Sequence, residues 1–235
     1  MAGPGRRSRF VVSSYNKKTD DEKQLPKKAA PRFRRKAPEK RRSNLIQAAI
    51  HCISEGGMSA FRMERIAAEA GVSLGLMSHY FTDKNELLTE VYQAALYEDV
   101  NRKLAELANK EVTRSPTERL CRIIDAIIDP EYLKPTNLTM WLALWSEIVV
   151  NPDLRRAHRA LYRSYLQSLA ELIGTVAKER RRAVNAVEIA RNLQALIDGL
   201  FLERALDRRA VDHADLRRAS YEFLELHLGA LTSGV

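Results

Sequence analysis

Apolar residues recur along most of this chain at helical spacing, and the breaks between the periodic stretches carry helix-ending and helix-starting residues. The first such stretch predicts a helix from Lys40 to about Glu55, with Leu45, Ala48, Ala49, Cys52 and Ile53 on one stripe and Gly56-Gly57 ending it. Ile66, Ala67 and Ala70 then mark a short helix, closed by Gly71, where a helix end needs a residue tolerant of positive φ. Ser73 is placed to cap a second short helix from Leu74 to about Tyr80. Asp83 opens a long one reaching about Lys110, with Leu87, Leu88, Val91, Ala94, Ala95 and Leu104 along its inner side. Ser115-Pro116 starts the next, and the segment DPEYLKP at 129–135 interrupts the pattern. Further helices are expected from Thr136 or Asn137, from Asn151-Pro152 to about Arg182, from Asn185, and from Asp212 to near Gly229. No stretch alternates with period two over a convincing strand, and no internal repeat is visible. The expected fold class is therefore all-α.

The region from Ile66 to Leu88 is the most telling. It reads as a short helix, a turn bearing Gly71 and plugged by Val72, and a second helix that is small at Gly75 and polar at Ser78 and His79. That is the helix-turn-helix plan, in which the second helix enters the DNA major groove.

The run Ala70-Gly71-Val72-Ser73, followed by Gly75, Tyr80-Phe81, Lys84 and Leu87-Leu88, resembles the DNA-binding signature of TetR-family transcriptional regulators. The resemblance covers roughly Asn44 to Glu90. Two positions depart from the family pattern: Ser78 stands where most members carry a phosphate-touching Tyr, and Arg62 where many carry Thr. The variant Ser78-His79-Tyr80-Phe81 is similar to the BetI-type branch of choline-responsive repressors. The resemblance implies an N-terminal three-helix DNA-binding domain followed by a larger helical ligand-binding and dimerisation bundle. It implies that Leu74, Gly75, Ser78 and His79 lie nearest the bases, that Ser73, Tyr80 and Lys84 meet phosphates, and that Arg62 also belongs to the DNA-binding set. The partner is then double-stranded operator DNA.

Charge adds an arm. The net charge is +9, yet residues 1–43 hold 15 Lys and Arg against 4 Asp and Glu, and the remainder is slightly acidic. Four of the eight prolines also lie in this segment, at Pro4, Pro26, Pro31 and Pro38. It has little to bury, so residues 1–38 are expected to be disordered. Arg32, Arg34, Arg35, Lys36, Lys40, Arg41 and Arg42 crowd against the first helix, where such an arm either follows phosphates or only solubilises the chain. The domain expectation is thus an arm at 1–38, a helix-turn-helix domain at 39–90, and a helical ligand-binding and dimerisation domain at 91–235.

Other classes find no support. The histidines at His51, His79, His158, His213 and His227 form no His-x-x-x-His or His-Glu-x-x-His pattern, and neither a Gly-rich phosphate loop nor a Gly-x-Ser-x-Gly elbow occurs, so neither an enzyme, a cofactor nor a metal is expected. Cys52 and Cys121 read as thiols of a reducing compartment rather than a disulfide. No apolar run reaches the roughly 18 residues of a membrane span, and the first 40 residues lack the apolar core of a secretory signal, so a cytoplasmic protein is expected.

The C-terminal part holds the ligand candidates. Trp141 and Trp145 stand one turn apart on one helical face, within MWLALWSEIVVNPDL. That segment and ALIDGLFL again resemble the BetI-type regulators. Indole faces are the best aromatic partners for a quaternary ammonium group. Asp198 is a lone carboxylate in an apolar run that also carries Phe201, and Glu147 follows the tryptophan pair closely. These residues form either a cation box, suited to choline or betaine aldehyde, or ordinary core packing in which Asp198 pairs with Arg191 or Arg204 at a subunit seam. Tyr132, Tyr162 and Tyr165 are further aromatic candidates. The helix at 189–206 carries Leu193, Leu196, Ile197, Leu200 and Phe201, more than one core-facing stripe holds. It is expected to be buried on two sides. Tyr221, Leu224 and Leu228 in 213–229 supply a matching stripe for a homodimer, as the resemblance implies. The expected function is a dimeric repressor that releases its operator when a small molecule binds the bundle. The alternative is an architectural nucleic-acid-binding protein driven by its basic arm.

Overall fold

The computed structural model describes residues 33–96 and 115–231, with 33–37 described by backbone alone. Expectations that fall on 1–32, on 97–114 and on 232–235 lie outside the described residues. Among the described residues there are nine α-helices and no strand. They are α1 (Phe33–Gly56), α2 (Met63–Glu69), α3 (Leu74–Met77), α4 (Lys84–Leu96), α5 (Pro116–Ile127), α6 (Pro135–Val150), α7 (Pro152–Glu179), α8 (Ala186–Leu206) and α9 (His213–Leu228). Single 3-10 turns cover Gly57–Ala60 and Pro130–Leu133.

The caps explain most boundaries. Ser115 accepts from the Glu118 N–H at 3.0 Å, with Pro116 in the first turn of α5. Asn151 accepts from the N–H groups of Asp153 and Leu154 and starts α7. Asn185 caps α8 through the Glu188 N–H. Asp212 and Asp215 form a reciprocal capping box at the start of α9. Gly71 and Gly229 take positive φ, 66° and 79°, where a Cβ would be strained.

Three boundaries differ from expectation. α1 begins at Phe33, not Lys40, so 33–38 of the expected arm is helical. Arg, Lys and Ala are good helix formers, and Pro38 sits near enough to the start that only one backbone bond, to residue 34, is forgone. α3 is only four residues long; from Ser78 to Tyr80 the chain continues in tighter i to i+3 bonds, His79 N–H to Leu76 and Tyr80 N–H to Met77. α6 begins at Pro135, a residue or two before Thr136 or Asn137, because Pro is preorganised for a first helical position.

Two hydrophobic cores result. One gathers Leu45, Ala49, Ile53, Phe61, Ile66, Met77, Phe81, Leu87 and Val91 from α1–α4, and it takes in Met140 and Leu144 of α6 and Leu154 of α7. The other joins α5, α7, α8 and α9 through Ile124, Leu169, Ile173, Leu193, Ile197 and Leu224. α6 lies along α1, and α4 packs on α7, so the N-terminal helices are seated directly on the bundle. Among the described residues no helix is long and apolar enough to cross a membrane.

The proposed dimer stripe needs correction. Tyr221, Leu224 and Leu228 are buried in their own bundle, and the Tyr221 hydroxyl hydrogen-bonds the Cys121 carbonyl at 3.2 Å and the Asp125 carboxylate at 3.0 Å. The large apolar residues that α8 and α9 leave exposed are Val187, Leu202, Leu206 and Leu226. Leu226 lies two residues from both Leu224 and Leu228, about 200° round the helix, so the two faces are opposite.

Candidate functional site

The candidate DNA-facing surface is built by α2, the Gly71 turn and α3. Ile66 and Ala67 bury the inner side of α2, and the Val72 N–H closes the corner on the Ala67 carbonyl at 2.9 Å. Ser73 caps α3, its hydroxyl accepting from the Leu76 N–H at 3.2 Å. Met77 and Phe81 anchor the segment from below, fully buried or nearly so. Their burial turns Ser73, Leu74, Gly75, Ser78 and His79 outward, all exposed. Leu74 is 45% exposed although apolar. A Cβ added at Gly75 meets nothing within 4 Å, so the fold itself does not demand a small residue there. The Ser78 hydroxyl reaches the Leu74 carbonyl at 3.5 Å. Tyr80 is half-buried, and Lys84 is exposed with its ammonium 5.3 Å from the centre of the Phe61 ring. Arg62 is exposed at the start of α2.

Arg42 is not available to follow phosphates, contrary to its place in the expected basic arm. Its guanidinium turns inward, bonding Glu90 at 2.9 Å from Nε and Glu86 at 2.9 Å from Nη2. It also donates to the Tyr80 carbonyl and stacks 4.4 Å over the Phe81 ring. One cation thus ties α1, the end of the segment after α3, and α4 together. Glu86 is held at a pKa of about 2, first by the Thr82 N–H at 2.7 Å, then by Arg42, then by the Thr82 hydroxyl.

The second feature is a cavity of about 380 Å³ enclosed by α4–α8 and the turn at 130–133. All four ligand candidates line it: Trp141 and Trp145 from α6, Asp198 and Phe201 from α8. Tyr132, Tyr162 and Tyr165 line it too. The two indoles are tilted by 37° with ring centres 6.5 Å apart. Glu147 does not line the cavity.

Among the described residues, Asp198 is its one lining carboxylate. Gln194 donates to it at 2.7 Å, and the Gln194 carbonyl in turn accepts from the Tyr165 hydroxyl at 2.5 Å. Burial raises the Asp198 pKa to about 6, and the Gln194 bond only partly opposes this. Among the described residues no Lys or Arg pairs with it. Arg204 is spent on the Arg208 and Val211 carbonyls, and Arg191 is exposed beside a separate groove between α7 and α8. Burial likewise raises the Tyr162 pKa to about 12 and lowers that of His158, which keeps both uncharged near neutrality.

Sequence reasoning missed Tyr92, His158 and Gln194. The Tyr92 hydroxyl meets His158 Nδ1 at 2.7 Å, and the His158 ring stacks on Tyr162 at 4.9 Å. Gln194 was accessible, because it sits four residues before Asp198 on the same helical face. Tyr92 falls beside Leu88 and Val91 on the inner side of α4, and only the packing of α4 on α7 shows that this side ends in the cavity.

Comparison with known proteins covers both parts of the chain. The family described as bacterial regulatory proteins, tetR family, matches residues 45–91, and the BetI-type transcriptional repressor C-terminal family matches residues 116–229. The HTH-type transcriptional regulator BetI 1 of Chromohalobacter salexigens is 35% identical over 196 residues, 82% of this chain and 93% of that protein. BetI of Proteus mirabilis is 32% identical over 80% of this chain and 92% of its own. A candidate transcriptional regulator from Pseudomonas aeruginosa PAO1 superposes with a TM-score of 0.70 at 30% identity, covering 85% of this chain and 96% of the other. One from Saccharomonospora viridis, solved in complex with choline, superposes with a TM-score of 0.69 at 25% identity, covering 80% and 96%. These relatives regulate transcription and are not enzymes. The chain belongs to the TetR family of bacterial transcriptional regulators, in its BetI-type branch.

Proposed function

We propose that this chain acts as a homodimeric cytoplasmic repressor whose bundle binds a small organic cation, choline or betaine aldehyde, and then releases operator DNA. The observation that carries the ligand is the meeting of Trp141, Trp145 and Asp198 on one cavity. Indole faces attract a quaternary ammonium group, and a buried carboxylate without a cationic partner supplies the opposite charge. The volume falls in the ordinary range for small-molecule sites. The choline complex of the S. viridis protein supports the same class of ligand.

On the DNA side, Leu74, Gly75, Ser78 and His79 meet bases, while Arg62, Ser73, Tyr80 and Lys84 meet backbone phosphates. The unfilled space over Gly75 supports this, since a helical Gly costs about 1 kcal/mol relative to Ala and nothing among the described residues requires it. The dimer forms through α8 and α9, now by way of Leu202, Leu206 and Leu226. A twofold pair presents two recognition segments to half-sites one helical turn apart. Ligand shifts the population towards an arrangement that no longer fits them.

Titration of the tryptophan fluorescence decides the ligand, because the chain has only two Trp. Choline, betaine aldehyde and glycine betaine should each be tested for a saturable change and for release of DNA in a gel-shift assay. A flat response to all three refutes the cation reading.

A further inference from the structure

We propose that the hydrogen bond between Tyr92 and His158 is the joint through which the cavity and the DNA-facing segment sense each other. The proposal rests on the ligand reading above for its choline arm, though not for its DNA arm.

The geometry is specific to α4. Tyr92 is the point where this helix enters the cavity wall, 1% exposed, with its hydroxyl 2.7 Å from His158 Nδ1. With the imidazole proton on Nε2, the phenol donates and the ring nitrogen accepts. His158 is itself held by its stack on Tyr162, another wall residue, and by edge contact with the Tyr92 ring at 5.9 Å. A molecule entering the cavity therefore meets a wall in which one element belongs to the bundle and the other to the helix leading to DNA.

From Tyr92, α4 runs back to Glu86 over six residues, about 9 Å. There Glu86 and Glu90 hold Arg42, which grips the Tyr80 carbonyl and the Phe81 ring at the end of the recognition segment. The Asn85 side chain also accepts from Asn151 at 3.2 Å, which pins the start of α4 to the start of α7. The start of α4 is thus tied both to α7 and, through Arg42, to the segment that follows α3. A shift of α4 at Tyr92 would be carried along one continuous helix to the residues that hold Arg42. Contiguity alone is not coupling, so the test must measure coupling itself.

Tyr92→Phe removes one hydroxyl and keeps the ring; His158→Phe keeps the stack and removes the acceptor. DNA sites are obtained by in vitro selection with the full-length protein. The readout is the ratio of DNA affinities without and with saturating choline, which divides out any change in either affinity alone. The expected result is a ratio lowered about fivefold or more by each single variant, the lower end of ordinary couplings. The double variant should go no lower than either. Singles that match the wild-type ratio, with unchanged thermal melts, overturn the proposal.

A second arm needs no ligand. Coupling is reciprocal, so selected DNA should change the Trp141 and Trp145 fluorescence of the wild type, and Tyr92→Phe should suppress that change. If choline leaves the wild-type tryptophans unmoved, the cation reading fails and this arm alone decides. An equal DNA response in wild type and variant, or none in the wild type, overturns the joint. Should Tyr92→Phe fail to fold, His158→Phe carries both arms.

Discussion

Asp198→Asn offers the sharpest quantitative check on the cavity. Burial raises this carboxyl from an ordinary value of 3.8 to about 6. Raising an acid's pKa in the folded state makes its ionisation oppose folding. Below about 3.8 the group is neutral in both folded and unfolded chains, and no penalty exists. Between there and about 6 the unfolded chain gives up its proton first, and stability falls. Above about 6 the full penalty is present, at most roughly 3 kcal/mol at 1.36 kcal/mol per pKa unit. Asparagine has nearly the same shape, and its carbonyl can still accept from Gln194. The variant should therefore be more stable than wild type by about 2 kcal/mol near pH 8, which is about 4–8 °C in Tm for a chain of this size. Near pH 4 the difference should vanish. The neighbouring groups do not obscure the difference: burial lowers the His158 pKa, which weakens wild type and variant alike as the pH falls, and raises those of Tyr92, Tyr162 and Tyr165 further above the range. Ligand affinity should move the opposite way. A cation needs the ionised carboxylate, so choline binding to wild type should strengthen about tenfold per pH unit up to about pH 6 and then level off. Asp198→Asn should lose both that slope and most of the affinity. Thermal melts and fluorescence titrations between pH 4.5 and 8 test both. A variant less stable than wild type at every pH, or choline affinity flat from pH 5 to 7, would refute the buried counter-charge.

Gly75→Glu should abolish binding to selected DNA while leaving Tm within about 1–2 °C, since the position is open; intact binding at fixed salt removes Gly75 from the interface. Leu226→Glu, at a residue 80% exposed in one protomer, should shift the protein to monomer in sedimentation, and an unchanged dimer would move the seam off this face of α9. Removal of residues 1–32, with 9 basic and 3 acidic side chains, should flatten the salt dependence of DNA binding while sequence preference survives; an unchanged slope means the arm makes no phosphate contacts.

What the sequence disclosed follows from which interactions are local. Caps are read from neighbouring residues, so Ser73, Ser115, Asn151, Asn185 and Asp212 were legible as helix starts. The Trp141–Trp145 pair was legible as one face because both lie on one helix. Asp198 was legible as unusual because charge is rare in such an apolar run. Arg42 was misread because its three partners lie 38–48 residues away and a basic cluster looks solvated by composition alone. The stripe at Tyr221, Leu224 and Leu228 was real, but periodicity marks a buried face without naming what buries it. α9 turns that stripe into its own bundle and leaves Leu226 outside.

The same distinction bears on how one chain serves two binding events. Neither core is closed by its own helices alone. What joins them is a small set of side chains contributed across the divide. Met140 and Leu144 from α6 complete the N-terminal core, while Tyr92 from α4 completes the wall of the cavity. The two units are therefore sealed by each other's residues, and neither can repack without disturbing the other. Close packing makes such a seam discrete rather than compliant. A regulator whose linker were merely flexible would bind both partners independently. On the proposed reading, the exchange of buried residues across α4 and α6 is the route by which a ligand in the cavity would act on the α3 segment.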